Sequence, residues 1–152
     1  MERFTSDRLI FRNQIELELS EAKGLGKLSF QYLEMSQLLT HGFSFSQKSS
    51  QPNELLLRTW NAEFDKRRFA TGIYNLDRLS ISEKTIRLSE EEQLFLNNQP
   101  MENIELSDWN GMVIDGLRCQ LKISDRKLVW NCNDEINHAG IELVEFLRSK
   151  TG

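Results

Sequence analysis

Apolar and polar positions alternate early in the chain and return to helical spacing only near its end. Ile15, Leu17 and Leu19 alternate with Glu16, Glu18 and Ser20. A period of two predicts a half-buried strand there. Gly24-Leu25-Gly26 then turns the chain. Beyond it two periods overlap. Leu28, Phe30 and Tyr32 alternate as a strand completing a hairpin would, whereas Leu28, Tyr32, Met35 and Leu39 recur at helical spacing before His41-Gly42. A strand passing into a short helix satisfies both patterns. Residues 44–53 are polar and end in Ser49-Ser50-Gln51-Pro52-Asn53, which predicts a surface loop inside one domain. Over 54–88 the alternation returns, with Leu55 and Leu57, an aromatic and branched stretch over 69–76, and Leu79 and Ile81. Ser82-Glu83-Lys84-Thr85 is expected to turn the chain before Ile86 and Leu88. The simplest account of this region is a meander of short antiparallel strands.

A helix start follows. Ser89 precedes Glu90-Glu91-Glu92, so Glu92 stands three residues after the cap, the spacing of a capping box. The three acids suit the positive end of the helix dipole, and Asn97-Asn98-Gln99-Pro100 ends the helix early. Asp115-Gly116 is a two-residue hairpin signal, and Asp125-Arg126 closes a second hairpin. That loop would oppose Ile123 to Leu128, Leu121 to Trp130 and Cys119 to Cys132, leaving Arg118, Gln120 and Lys122 on the other face. Three consecutive strands are therefore expected between Trp109 and Asn133. The chain closes with a helix begun near Asn133 or Asp134, whose buried stripe is Ile136, Gly140, Leu143, Val144 and Leu147. Arg148 and Lys150 suit its negative end. The fold expected is α+β: a single domain over residues 1–152, an antiparallel β-sheet meander with a short capped helix and a C-terminal amphipathic helix packed on one face.

With 152 residues the chain is long enough for one self-sufficient core and short for two. Its 19 basic and 23 acidic residues give a net charge of -4, which argues against general nucleic-acid binding. No apolar run is long enough for a membrane span, and Met1-Glu2-Arg3-Phe4 lacks a signal-peptide core, so a cytoplasmic location is expected.

Candidate chemistry is sparse. Gly24-Leu25-Gly26-Lys27 resembles a phosphate loop only superficially, because Glu21, Leu28 and Ser29 stand where the required residues would be. Cys119, Cys132, His41 and His138 are the soft potential ligands, but they lack paired zinc spacing, and the two cysteines read as reduced, buried thiols. No nucleophile–base motif appears, so no catalytic residue, metal, cofactor or small-molecule ligand is expected, and the chain reads as a non-enzyme. Lys66-Arg67-Arg68, flanked by Phe64 and Phe69 with Trp60 nearby, is the alternative feature. Basic residues interleaved with aromatics suit a nucleic-acid-binding or regulatory module.

The most unusual feature is the absence of Lys and Arg between Ser89 and Gly116, a stretch that carries Glu90, Glu91, Glu92, Glu102, Glu105, Asp108 and Asp115. An acidic face of this kind steers docking onto a basic partner. Glu92 is committed to the capping box and Asp115 to its turn. Glu90, Glu91, Glu102, Glu105 and Asp108 remain as the candidate partner-binding residues.

From Arg87 to Gly152 the layout resembles that of small bacterial immunity proteins of contact-dependent growth inhibition and other polymorphic toxin systems. The features that carry the resemblance are the capped helix after Ser89, the Trp109 strand, the Asp115-Gly116 hairpin, the Trp130 strand and the amphipathic last helix. The resemblance covers about the last 65 residues and implies a non-catalytic cytoplasmic protein. Such a protein binds one toxin domain, often a nuclease with a basic cleft, and occludes its active site.

Overall fold

A computed structural model describes residues 2–20, 26–36, 38–70, 79–106, 117–123, 125–131 and 135–151, with backbone only for 2–8, 69 and 70. The elements are α1 (Glu2–Leu19), β1 (Leu28–Ser36), β2 (Gly42–Lys48), β3 (Glu54–Trp60), α2 (Ala62–Ala70) and β4 (Ile81–Arg87). They continue with α3 (Glu90–Asn97), a 3-10 turn (Met101–Asn103), β5 (Leu117–Ile123), β6 (Arg126–Trp130) and α4 (His138–Arg148). The strands form one antiparallel sheet in the order β4-β3-β2-β1-β5-β6. The fold is α+β as expected, with helices on both faces of the sheet.

Alternation along the strands sorts the core into two layers. Phe30, Tyr32, Phe45, Leu55, Leu57, Cys119, Leu121 and Trp130 face α3 and α4 and pack with Leu96, Leu143, Val144 and Leu147. Leu33, Met35 and Trp60 face the other way and pack with Phe11, Ile15 and Leu19 of α1. Gly42 lets Leu19 approach this second face: a Cβ there would lie 3.1 Å from the Leu19 Cδ1.

Several expectations are corrected. Residues 15–19 are helical, not a strand. Phe11, Ile15 and Leu19 recur every four residues and are buried, whereas Leu17 is 70% exposed. The alternation arose because α1 carries apolar residues on opposite sides. The ambiguous segment is strand β1 through Ser36, and the chain then turns through Leu39 at a φ of 58° instead of entering a helix. Residues 44–48 belong to β2, not to a loop. Ser44 and Ser46 are buried because their hydroxyls are satisfied: Ser44 donates to the Leu19 carbonyl at 2.7 Å, and Ser46 accepts from Gln31 at 2.9 Å.

Between β3 and β4 lies α2, so the 54–88 region is not a pure meander. The basic triplet is helical, and Ser82-Glu83-Lys84-Thr85 runs through the middle of β4 instead of turning. Asp65 of α2 is wholly buried, accepting from the Trp60 indole at 2.9 Å and the Ser80 N–H at 2.7 Å.

The β5–β6 hairpin forms with a register two residues from that expected. Ile123 opposes Arg126, Leu121 opposes Leu128 and Cys119 opposes Trp130. A shift of two keeps each side chain on its face, so Cys119, Leu121 and Trp130 are still buried together. Cys132, Trp109, Asp115 and Gly116 lie outside the described residues. The place beside β5 expected for a Trp109 strand is filled by β1, which ties the two halves of the chain into one sheet. α4 starts later than expected, capped by Asn137, whose side chain accepts from Gly140 N, and its stripe is buried as expected.

Candidate protein-binding face

The candidate face is built on α3 and the chain that follows it. The capping box after Ser89 is present in full. Glu92 N–H donates to the Ser89 hydroxyl at 3.2 Å, and Ser89 N–H donates to Glu92 Oε1 at 2.9 Å. The other Glu92 oxygen pairs with Lys150, beyond the end of α4. Phe95 stacks on Phe146 at 4.8 Å between ring centroids, and Leu96 enters the core. These contacts fix which side of α3 faces outward. Its exposed residues are Glu90, Glu91, Leu94, Asn97 and Asn98, one continuous helical stripe.

Beyond α3, Arg126 of β6 fixes the 3-10 turn to the sheet edge. Its guanidinium donates to the carbonyls of Glu102 at 2.8 Å and Ile104 at 2.9 Å. Ile104 is buried, while Glu102, Glu105 and Leu106 are exposed. A cleft of about 440 Å³ runs between this turn and the sheet, lined among others by Phe30, Leu96, Asn97, Met101 and Glu102. It places the end of the α3 stripe and Glu102 on one surface feature.

Four of the five sequence-derived candidates are therefore exposed: Glu90 and Glu91 on α3, and Glu102 and Glu105 after it. Asp108 lies outside the described residues. Glu92 is committed to structure as expected, and doubly so. The acidic stretch is not isolated in space, however, because Lys150 and Arg126 fold against it from distant parts of the sequence. The sequence reasoning missed Leu94 and Leu106, which are 60% and 42% exposed. The signal for Leu94 was present. Leu94, Phe95 and Leu96 are consecutive on a short helix, and three successive positions cannot all face one side.

The alternative candidates on and near α2 are only partly absorbed into the structure. Trp60 is 3% exposed and offers no ring for stacking. Arg68 pairs with Asp65 at 3.3 Å, while Lys66, Arg67 and Phe64 are exposed on α2.

Glu34 of β1 is buried and accepts from the Tyr32 hydroxyl at 2.7 Å and the Arg148 Nε at 2.7 Å, with His41 Nε2 at 3.7 Å. Burial alone would raise its pKa. The approach of His41, the hydrogen bonds from Tyr32 and Arg148, and the Arg148 charge outweigh burial and hold it below the ordinary glutamate range. Burial pushes the Cys119 thiol up to about 11 and raises the Tyr32 phenol further still, so neither is an available nucleophile near neutral pH. This cluster clamps α4 to β1.

Among the described residues no group of three or more His, Cys, Asp or Glu could hold a metal ion, and no helix is long and apolar enough to cross a membrane. No family model, curated protein or solved structure matches the chain.

Proposed function

We propose that the protein is an immunity protein, which binds a cognate toxin domain and neutralises it by occluding its active site. The observation that carries this reading is the outward side of α3 and the residues after it, where Glu90 and Glu91 stand one turn before the exposed Leu94, and Glu102 and Glu105 precede the exposed Leu106. Acidic groups at a rim steer a basic partner, and an apolar anchor inside the rim supplies the affinity that charges alone do not. A nuclease fits as the partner, because its substrate cleft is already basic and a carboxylate can stand where a phosphate would bind. Of the layout that carries the resemblance, the capped helix after Ser89, the Trp130 strand and the amphipathic last helix are present and support the same reading. The protein itself performs no chemistry in this reading, and its setting is the bacterial cytoplasm.

The test is co-expression with the toxin domain encoded beside it, followed by binding kinetics with purified proteins. Glu102→Lys with Glu105→Lys should slow association and weaken its salt dependence, and Leu94→Ser should speed dissociation. Absence of both rescue and binding would overturn the reading. The alternative, a nucleic-acid-binding or regulatory module on the Lys66-Arg67-Arg68 region, keeps Phe64 and two exposed cations but loses Trp60 as a stacking ring. A flat titration with single-stranded DNA or RNA at low salt would remove it.

A further inference from the structure

Among the described residues, none covers the outer face of α1 over residues 9–17. Leu9, Ile10 and Leu17 are 50%, 48% and 70% exposed, and Asn13 between them is exposed too. These four side chains form one stripe opposite the buried Phe11, Ile15 and Leu19. None of the four is charged. Exposed helix faces in soluble proteins ordinarily carry charge, so this stripe needs an account of what covers it.

The spacing of the stripe identifies the occupant. Leu9, Asn13 and Leu17 stand at equal intervals of four, so this line of the face reads the same from either end, with Asn13 at its centre and Ile10 to one side of it. A twofold symmetric contact requires a surface complementary to itself, and this stripe meets that requirement when two copies of α1 pack antiparallel. Leu17 of one copy then seats between Leu9 and Ile10 of the other at both ends, and the two Asn13 amides meet on the axis. Arg12 and Glu16 lie along one edge, opposite in sign and one turn apart. Antiparallel pairing brings Arg12 of each copy toward Glu16 of the other, and it opposes the two helix dipoles favourably. Glu16 already meets Arg118 within its own chain, so the edge carries a small network of alternating charge.

We infer that the outer face of α1 is a homodimer contact, a twofold pairing of two copies of this chain centred on Asn13. It uses the face of the sheet away from α3, so it leaves Glu90, Glu91 and Leu94 open and does not depend on the toxin reading. Four side chains per copy make less than a standard interface, so the dimer should dissociate in the range of tens of micromolar.

Sedimentation velocity on the full chain, from about 5 to 500 µM, tests this over the range where such a dimer would form and dissociate. The expected result is a reversible monomer–dimer equilibrium. Leu17→Glu should raise the dissociation constant more than about 30-fold, by placing two charges in the seam. Its melting temperature at low concentration should match the wild type, because Leu17 makes little contact within the chain. Asn13→Leu should tighten the dimer, as replacing a polar residue at the centre of a helical seam does. A wild-type chain that stays monomeric throughout overturns the inference. A dimer that Leu17→Glu leaves intact, or one that Asn13→Leu does not tighten, overturns the Asn13-centred arrangement.

Discussion

α4 and α1 cover opposite faces of the same sheet, yet only α4 has a single apolar side. In α4 the buried positions Gly140, Leu143, Val144 and Leu147 form one stripe, and its exposed positions are His138, Glu142 and Glu145. In α1 Phe11, Ile15 and Leu19 are buried while Leu9, Ile10 and Leu17 are exposed. Two charges of α1, those of Glu16 and Glu18, sit on its flanks and turn inward to the protein. Glu16 meets Arg118, and Glu18 accepts from the Leu79 N–H at 3.1 Å. A helix with one apolar side satisfies itself by folding onto the sheet; a helix with two still has a surface to bury after the chain has folded.

The largest effects should come from the inner residues of both layers, equally for the legible helix and the illegible one. Trp130→Ala removes an indole that lies 6.2 Å from the Tyr32 ring in the α4 layer. Phe11→Ala removes a ring set edge-on to Trp60 at 5.8 Å in the α1 layer. Each should cost about 3–5 kcal/mol in urea unfolding, whereas Leu17→Ala on the outer side of α1 should stay within about 0.5 kcal/mol. If Phe11→Ala proves no more costly than Leu17→Ala, α1 does not pack on the sheet as described.

The contrast also explains what was legible. The α4 stripe, the capping box at Ser89 and the apolar face of Cys119, Leu121 and Trp130 could be read because each follows from one period and one buried side. Hairpin β5–β6 was found but misplaced by two residues, since a shift of two preserves every face and pattern alone does not distinguish the registers. α1 failed because residues on its two apolar sides, interleaved with Glu16 and Glu18, imitate a strand. β2 failed because Ser44, Ser46 and Gln47 look like loop residues, and the burial of Ser44 and Ser46 depends on partners distant in sequence, Leu19 and Gln31. Of the candidate face, the acids Glu90, Glu91, Glu102 and Glu105 were legible as an absence of basic residues. The approach of Lys150 and Arg126 was not, because it is created by the tertiary fold.

The second largest effect concerns how α4 is held; the corresponding pair on α1, Glu16 with Arg118, has a less buried carboxylate. Glu34→Gln replaces a buried carboxylate that Tyr32 and Arg148 both contact at 2.7 Å. Losing a hydrogen bond to a charged group should cost about 2 kcal/mol near neutral pH. The pH dependence follows from the direction of the shift. Glu34 has a folded-state pKa below its unfolded value, so its contribution is complete above the unfolded pKa and is lost as pH falls through the folded one. The wild type should therefore lose stability through and below the ordinary glutamate range, and Glu34→Gln should flatten that acid limb. Chemical denaturation at a series of pH values checks this. Equal acid limbs in the two proteins would mean that the Glu34–Arg148 clamp does not hold α4.

The smallest effect is the sharpest, because its sign separates tight packing from helix propensity. Gly140 lies inside α4, where glycine is about 1 kcal/mol worse than alanine, so propensity alone makes Gly140→Ala stabilising. The structure opposes this. A Cβ at 140 would lie 2.1 Å from the Ile136 Cδ1, 2.3 Å from its Cγ1 and 3.0 Å from the Ile104 Cγ2. Two of these atoms belong to one buried, β-branched side chain, which cannot move aside by rotating its tip alone. Overpacking of this kind costs about 1–3 kcal/mol, so Gly140→Ala should be net destabilising by about 1 kcal/mol. The same substitution made together with Ile136→Ala should recover the propensity gain, leaving a coupling energy of about 1 kcal/mol or more between positions 136 and 140. Thermal melts of the four proteins in that cycle decide it. If Gly140→Ala raises the melting temperature by itself, the first turn of α4 does not sit against Ile136 and Ile104, and the side of the sheet that looked most legible is less tightly packed than α1.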